Sequence, residues 1–143
     1  MEYILAFDVG TTSMKCCAYD EAFLVRAEQT TEYALQTPGP QLVEADPEIY
    51  WDGLCRSVRA ILDAGIRPEQ IRAVALTTQG ETMIALDAAG EPVLPAIVWL
   101  DGRAGREAAA LERTIGRRTF YRTTGLPEFS GALPLAKLQW LLA

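Results

Sequence analysis

An acidic side chain followed within seven residues by a glycine, three hydroxyls and a lysine is a set that phosphate chemistry uses. The chain carries it as Asp8-Val9-Gly10-Thr11-Thr12-Ser13-Met14-Lys15. Asp8 leaves the end of an apolar run, and Gly10 lets backbone N–H groups come close to an anion. Thr11, Thr12 and Ser13 bring hydroxyls, Lys15 brings a cation, and Asp8 offers a carboxylate to a magnesium ion or its waters. The same residues also suit a plain polar turn after a strand, and short motifs match by accident. The spacing is neither Gly-x-x-x-x-Gly-Lys-Ser/Thr nor Gly-x-Gly-x-x-Gly.

The elements that must position these groups follow from pattern. Tyr3 to Phe7 is continuously apolar, as in a strand covered on both faces. Met14 to Tyr19 and Phe23 to Tyr33 read as two more strands, and the short links predict an antiparallel meander. Thr37-Pro38-Gly39-Pro40 is loop. Asp46-Pro47 opens a helix, with Asp46 capping and Pro47 at the first position. Its apolar face is Tyr50, Leu54, Val58, Ile61 and Leu62, and Gly65 with Pro68 ends it. That spacing assigns the Tyr50-Trp51 pair to the core.

Ile71 to Leu76 is another buried strand, running into Thr77-Thr78-Gln79-Gly80-Glu81. Thr82 to Leu86 and Ala96 to Trp99 look like strands around the Asp87–Gly90 turn. A helix carrying Ala104, Ala108, Leu111 and Ile115 closes at Gly116. A short helix at Arg118 to Arg122 and a last one from Pro134, with Leu135, Leu138 and Leu142, complete the order. Strands and helices in this order predict an α/β fold with a mixed sheet. The apolar end, Leu138 to Ala143, lacks a stop signal and reads as part of a longer chain.

Composition narrows the classes. At 143 residues and 15.7 kDa the chain is one domain or a large part of one. Half the residues are apolar and 22% are charged, enough aliphatic mass to exclude disorder as the main state. No apolar run approaches the roughly 20 residues that span a bilayer, so no membrane partner is expected. The start has no basic segment and meets Asp8 early, unlike a signal peptide. Net charge is −6, and eleven of the thirteen basic residues are thinly spread arginines. Arg117, Arg118 and Arg122 suit a solvated face, and no basic stripe exists for nucleic acid. With no histidine, His-based triads, histidine bases and the commonest zinc sites are excluded. Cys16, Cys17 and Cys55 lack Cys-x-x-Cys spacing and read as reduced, buried thiols of a cytoplasmic protein.

An apolar strand, Asp-x-Gly-Thr-Thr-Ser, then two further strands resembles the phosphate loop of the actin-like ATPase superfamily, with its ribonuclease H-like fold. Later segments narrow the resemblance. Thr77-Thr78-Gln79-Gly80-Glu81-Thr82, Leu86–Val93, Pro95-Ala96-Ile97-Val98-Trp99-Leu100-Asp101-Gly102-Arg103, Thr124-Gly125-Leu126-Pro127 and Ala136-Lys137-Leu138-Gln139-Trp140-Leu141 are similar to the N-terminal domain of FGGY carbohydrate kinases. The resemblance covers 1–143 nearly end to end, as a partial N-terminal domain with a five-stranded type of mixed sheet flanked by helices.

It implies transfer of the ATP γ-phosphoryl group to a sugar or polyol hydroxyl, with ATP and Mg2+ as cofactors. Asp8 would hold magnesium through water, and Gly10, Thr11, Thr12, Ser13 and Lys15 would face the phosphates. Gln79, Gly80, Glu81, Trp99 and Asp101 would shape the substrate pocket. The residue types suit a polyol: carboxylates and an amide for hydroxyls, and an aromatic face for C–H edges. Trp99 also suits a core, and Asp101 with Arg103 a helix cap and its ion pair. The resemblance places the catalytic base, an aspartate, and the adenosine site beyond residue 143, so these residues alone would be inactive. It leaves room for a homodimer of the full-length protein.

The sequence departs from the pattern of this family at Gly80-Glu81, where some members carry Arg-Glu or Met-His that contacts substrate. It departs again over Glu128 to Leu133. The sugar therefore stays unnamed. Another actin-like ATPase, or a self-contained binding module, stays open at this point.

Overall fold

The structure is a computed structural model and describes residues 1–143. Along the chain run β1 (Tyr3–Val9), β2 (Ser13–Tyr19), β3 (Val25–Glu32), β4 (Glu44–Ala45), α1 (Glu48–Asp63), β5 (Ile71–Thr78), β6 (Ala96–Ile97), α2 (Gly105–Ile115), α3 (Arg117–Thr124) and α4 (Pro134–Leu141). They fall into two compact units. One is Met1–Leu35 with Asp46–Gln79, and the other is Gln36–Ala45 with Gly80–Ala143.

The first unit is a four-stranded mixed sheet in the order β3-β2-β1-β5. Strands β1, β2 and β3 form the expected antiparallel meander, and β5 joins β1 in parallel. A parallel neighbour needs a crossover, which α1 supplies. Alternation decides the faces. Leu5 and Phe7 of β1 and Met14, Cys16 and Ala18 of β2 form the core with Ile61 and Ile66. Helix α1 comes close enough for the Ser57 and Thr31 hydroxyls to meet at 3.2 Å. The expectation that Ile71 to Leu76 is buried is corrected: β5 is an edge strand exposed along nearly all its length, with Val74 and Leu76 more than half exposed.

Two further local expectations are corrected here. The third strand begins at Val25, not Phe23. Asp20 Oδ1 accepts the amides of Ala22 and Leu24, and Phe23 turns through φ 58°. That turn delays the strand by two residues. In α1, the Asp46 carboxylate does accept the Glu48 amide at 3.0 Å. Trp51, however, is 62% exposed and lies outside the core. The buried stripe runs through Gly53, Ser57 and Ile61, which turns Trp51 toward solvent.

In the second unit, β4 and β6 form a two-residue antiparallel ladder, Glu44 opposite Ile97 and Ala45 opposite Ala96. The expected strand over Thr82 to Leu86 is absent; only isolated bridges, Met83 with Ile97 and Leu86 with Pro92, remain of it. The expected strand Ala96–Trp99 stops at Ile97, because the Trp99 amide goes to the Thr82 hydroxyl (3.1 Å) instead of a ladder carbonyl. Helices α2 and α4 pack through Ala104, Ala108 and Ala136. Close approach continues at Gly131, where a Cβ would lie 2.6 Å from the Gly102 carbonyl oxygen and 2.7 Å from the Gly105 nitrogen. No helix is long and apolar enough to cross a membrane. All three cysteines are free; Cys16 and Cys17 are buried and Cys55 is half-buried.

Candidate functional site

In the first unit the strand register assembles one polar row. Asp8 stands opposite Lys15 on β2 and opposite Thr77 on β5, and Lys15 stands opposite Thr30 on β3. Cross-strand partners share a face, so Asp8, Lys15, Thr30 and Thr77 line the sheet face away from Phe7 and Cys16. Asp8 and Lys15 are both exposed. Lys15 pairs with Glu28 at 3.0 Å; that hydrogen bond and charge hold its ammonium above the ordinary lysine value.

The turn between β1 and β2 is tight. The Gly10 amide donates to the Ser13 carbonyl at 2.8 Å. A Cβ on Gly10 would sit 3.0 Å from that same oxygen, so glycine lets the chain close here. The Gly10 N–H is thereby committed within the chain. Tyr33 fastens the turn from behind. Its hydroxyl donates to the Gly10 carbonyl at 2.5 Å and to the Ser13 carbonyl at 3.1 Å, while its amide donates to Thr12 O at 2.9 Å. Burial first, then the neighbouring Tyr50 and Asp8, push the Tyr33 hydroxyl up to about 12.

Gln79 closes this unit. Its amide donates to Val9 O at 2.8 Å, which sets it beside the hairpin. Its side-chain Nε2 donates to the Tyr50 hydroxyl at 3.1 Å, and its Oε1 is buried with no hydrogen-bond partner. A buried acceptor left open is costly and calls for a donor from a ligand or water.

In the second unit Gly80 and Glu81 begin a loop. Glu81 sits at φ +64°, in the left-handed region that a side-chain residue seldom enters. Such strain clusters at ligand sites. The Glu81 carboxylate is exposed and makes no hydrogen bond or ion pair. A Cβ on Gly80 would meet nothing within 4 Å. Trp99 is 39% exposed, so it is not a core residue. Its amide bond to Thr82 ties it to the Glu81 loop.

Asp101 behaves differently. It is fully buried, and both oxygens are saturated. Oδ1 accepts Arg103 N (2.9 Å) and Nε (2.8 Å); Oδ2 accepts Val43 N (2.7 Å) and Arg103 Nη2 (2.8 Å). Arg103 also reaches Glu44 at 2.6 Å and lies over the Trp140 ring at 5.0 Å. Burial alone would raise the Asp101 pKa, but the hydrogen bonds from Arg103 and Val43 bring it below the ordinary aspartate value. The ion-pair reading is realised. The helix-cap reading is not, because α2 starts after Ala104 without a side-chain cap.

The model of the FGGY family of carbohydrate kinases, N-terminal domain, matches residues 3–143. The chain belongs to this family. A glycerol kinase of Rhizobium rhizogenes (strain K84 / ATCC BAA-868) is 39% identical over 146 residues, covering 99% of this chain and 28% of the relative. The ligand-bound xylulose kinase of Lactobacillus acidophilus superposes with a TM-score of 0.89 at 26% identity, over 99% of this chain and 28% of that one. The glycerol kinase of Plasmodium falciparum with ADP gives 0.85 at 25% identity, over 99% and 29%. The chain therefore spans under a third of the relatives it matches.

Within this FGGY chain, the sequence pattern marks Asp8, Glu81 and Trp99 as candidates and places the hairpin, but it does not mark the groups that hold them. The sequence pattern gives Tyr33 as the end of a strand and Tyr50 as core. Lys137 falls on the last helix, where the sequence pattern gives it no role, yet it is completely buried. The signal for Lys137 was present: a lone lysine on the apolar run of the last helix.

Proposed function

We propose that the full-length protein is an ATP-dependent kinase that phosphorylates a hydroxyl of a sugar or polyol, and that these residues supply its phosphate edge and part of its substrate pocket. The observation that carries the reading is the polar row on the first unit's sheet, with Asp8 opposite Lys15 beside a turn closed by Gly10. In phosphoryl transfer the protein mainly positions groups and offsets charge, and this row offers both. The hydroxyls of Thr11, Thr12 and Ser13 stand at the same turn.

The donor set fits magnesium. No group of three His, Cys, Asp or Glu side chains exists to cage a metal. Magnesium keeps several waters and is commonly held by one or two carboxylates together with substrate phosphates. Asp8 is an exposed carboxylate, free of hydrogen bonds and ion pairs, on the polar row. When bound, the ion would neutralise charge on the transferred phosphoryl group.

In the second unit, Glu81 would accept hydrogen bonds from substrate hydroxyls and Trp99 would cover C–H edges; in the first unit, the open Gln79 Oε1 would take a donor. Asp101, with no acceptor capacity left, would act through Arg103 and Val43 rather than touch the sugar. The open space at Gly80 leaves room for a substrate or its hydration.

A coupled ADP-release assay on the full-length protein, with glycerol, xylulose, gluconate and further polyols and sugars, tests the reading. One or more of these should drive ADP release, with little release in their absence. Hydrolysis of ATP that no polyol or sugar accelerates would overturn it.

A further inference from the structure

Lys137 is the largest fully buried side chain of the molecule. Lysine is almost never fully buried unless it is paired, and no carboxylate lies within salt-bridge distance of Lys137. Its Nζ instead donates to the Val98 carbonyl at 2.9 Å and reaches the Glu81 carbonyl at 3.5 Å, the outer limit of a hydrogen bond. Those two carbonyls belong to the two segments that carry Glu81 and Trp99. The segments are also joined by Met83 N to Ile97 O (2.9 Å), Ile97 N to Met83 O (2.8 Å) and Trp99 N to the Thr82 hydroxyl.

The seam ends where regular pairing ends. Beyond Met83 and Ile97 no backbone bond joins the two segments, since the Val98 amide turns to the Val43 carbonyl at 3.0 Å, and Glu81 must hold a left-handed backbone there. The buried ammonium spans the seam at this place. Helix α4 delivers it, and α4 is itself anchored by Ala136 in the α2 cluster and by Trp140 against Arg103. Burial lowers the Lys137 pKa, the carboxylates of Asp101 and Glu81 act against that, and Arg103 adds to it. Keeping a desolvated cation here has a cost that a methionine of similar length would avoid.

We propose that Lys137 is a positioning residue of the substrate site, tying the backbone of Glu81 to that of Val98 and so setting how Glu81 and Trp99 face the sugar. The inference rests on the assignment of Glu81 and Trp99 to the substrate pocket. It differs from a role in stability alone, which would change how much protein folds but not how the folded protein binds sugar.

The test compares Lys137→Met, Lys137→Gln and Glu81→Ala in the full-length protein. Steady-state kinetics are run with the best substrate from the ADP-release panel, and melting temperatures are recorded alongside. Lys137→Met should raise the sugar KM about tenfold or more, the factor that goes with 1.4 kcal/mol. It should leave the KM for ATP unchanged. Lys137→Gln keeps an N–H donor on a shorter arm and should recover part of the loss. If Glu81→Ala raises the sugar KM while both Lys137 variants leave it at the parental value, this inference fails alone. If both Lys137 variants fail to fold, the residue is structural and the inference fails as well. If Glu81→Ala has no effect on sugar KM, the pocket assignment itself has failed, and the inference goes with it.

Discussion

Replacing Asp101 by asparagine changes one atom and tests the buried node of the second unit. In the parent, two carboxylate oxygens accept four donors, three from Arg103 and one from Val43. An asparagine has one oxygen, so its NH2 group must face two donors wherever it points. Breaking a buried pair by removing one partner costs about 3–5 kcal/mol. Arg103 keeps Glu44 at 2.6 Å, which argues for the low end, about 3 kcal/mol. At about 2–4 °C per kcal/mol for a chain somewhat larger than this one, the melting temperature should fall by roughly 6–12 °C or slightly more.

The assay is thermal and urea unfolding of parent and Asp101→Asn, followed by circular dichroism at several pH values. The sign of the pH dependence follows from the lowered Asp101 pKa. Its contribution is fully present above the unfolded aspartate value of about 3.9 and is lost as pH falls through the lower folded value. The gap between parent and variant should therefore be full at pH 7 and shrink only in strong acid. A difference under about 1 kcal/mol at pH 7, the level of an ordinary neutral hydrogen bond, would refute the reasoning.

Other outcomes follow from single contacts. Gly131→Ala should destabilise by about 3 kcal/mol, the upper end for overpacking, because its Cβ would meet rigid backbone at Gly102 and Gly105; urea midpoints measure this. Tyr33→Phe should cost about 1 kcal/mol of stability and lower kcat of the full-length protein, because the Gly10–Ser13 turn loses its hydroxyl anchor; unchanged kcat would remove Tyr33 from the loop's support. Burial, then Cys17, pushes the Cys16 thiol up to about 11, so at pH 8 a thiol reagent should label half-buried Cys55 well before Cys16; mass spectrometry of timed samples reads the order.

Much of the fold was legible because its signals are local. The apolar run at Tyr3–Phe7 and the turn after Asp8 fix a hairpin, and Asp46-Pro47 with Gly65 brackets a helix. The errors lie where local signals meet tertiary choices. Thr82 to Leu86 has strand-like residues, but its backbone finds a partner only at Met83, and the Thr82 hydroxyl captures the Trp99 amide. Trp51 sits one position off the buried stripe of α1, a difference of angle that an aromatic pair does not reveal. Asp8 and Glu81 stand out as candidates because each is a carboxylate close to a glycine at or just past a strand end, and Trp99 because it follows an apolar run. Residue type alone left Asp101 ambiguous, since a carboxylate that binds a sugar and one that binds an arginine look alike until their donors are counted. Tyr33 and Lys137 were hidden because their partners are backbone carbonyls, which every residue offers.

In the proposed division of roles Asp8 serves phosphoryl transfer and Glu81 serves the sugar. The most direct measurement is the split between kcat and sugar KM in Asp8→Ala and Glu81→Ala of the full-length protein, each shown to be folded. Asp8→Ala should lower kcat by about a hundredfold or more, matching a loss of several kcal/mol of charge stabilisation, with sugar KM little changed. Glu81→Ala should cost about 10- to 150-fold in kcat/KM for the sugar, the range for a charge-assisted hydrogen bond of roughly 1.5–3 kcal/mol, with ATP KM unchanged. An Asp8 variant with parental kcat and weakened sugar binding, or a Glu81 variant with parental kcat/KM, would contradict the account.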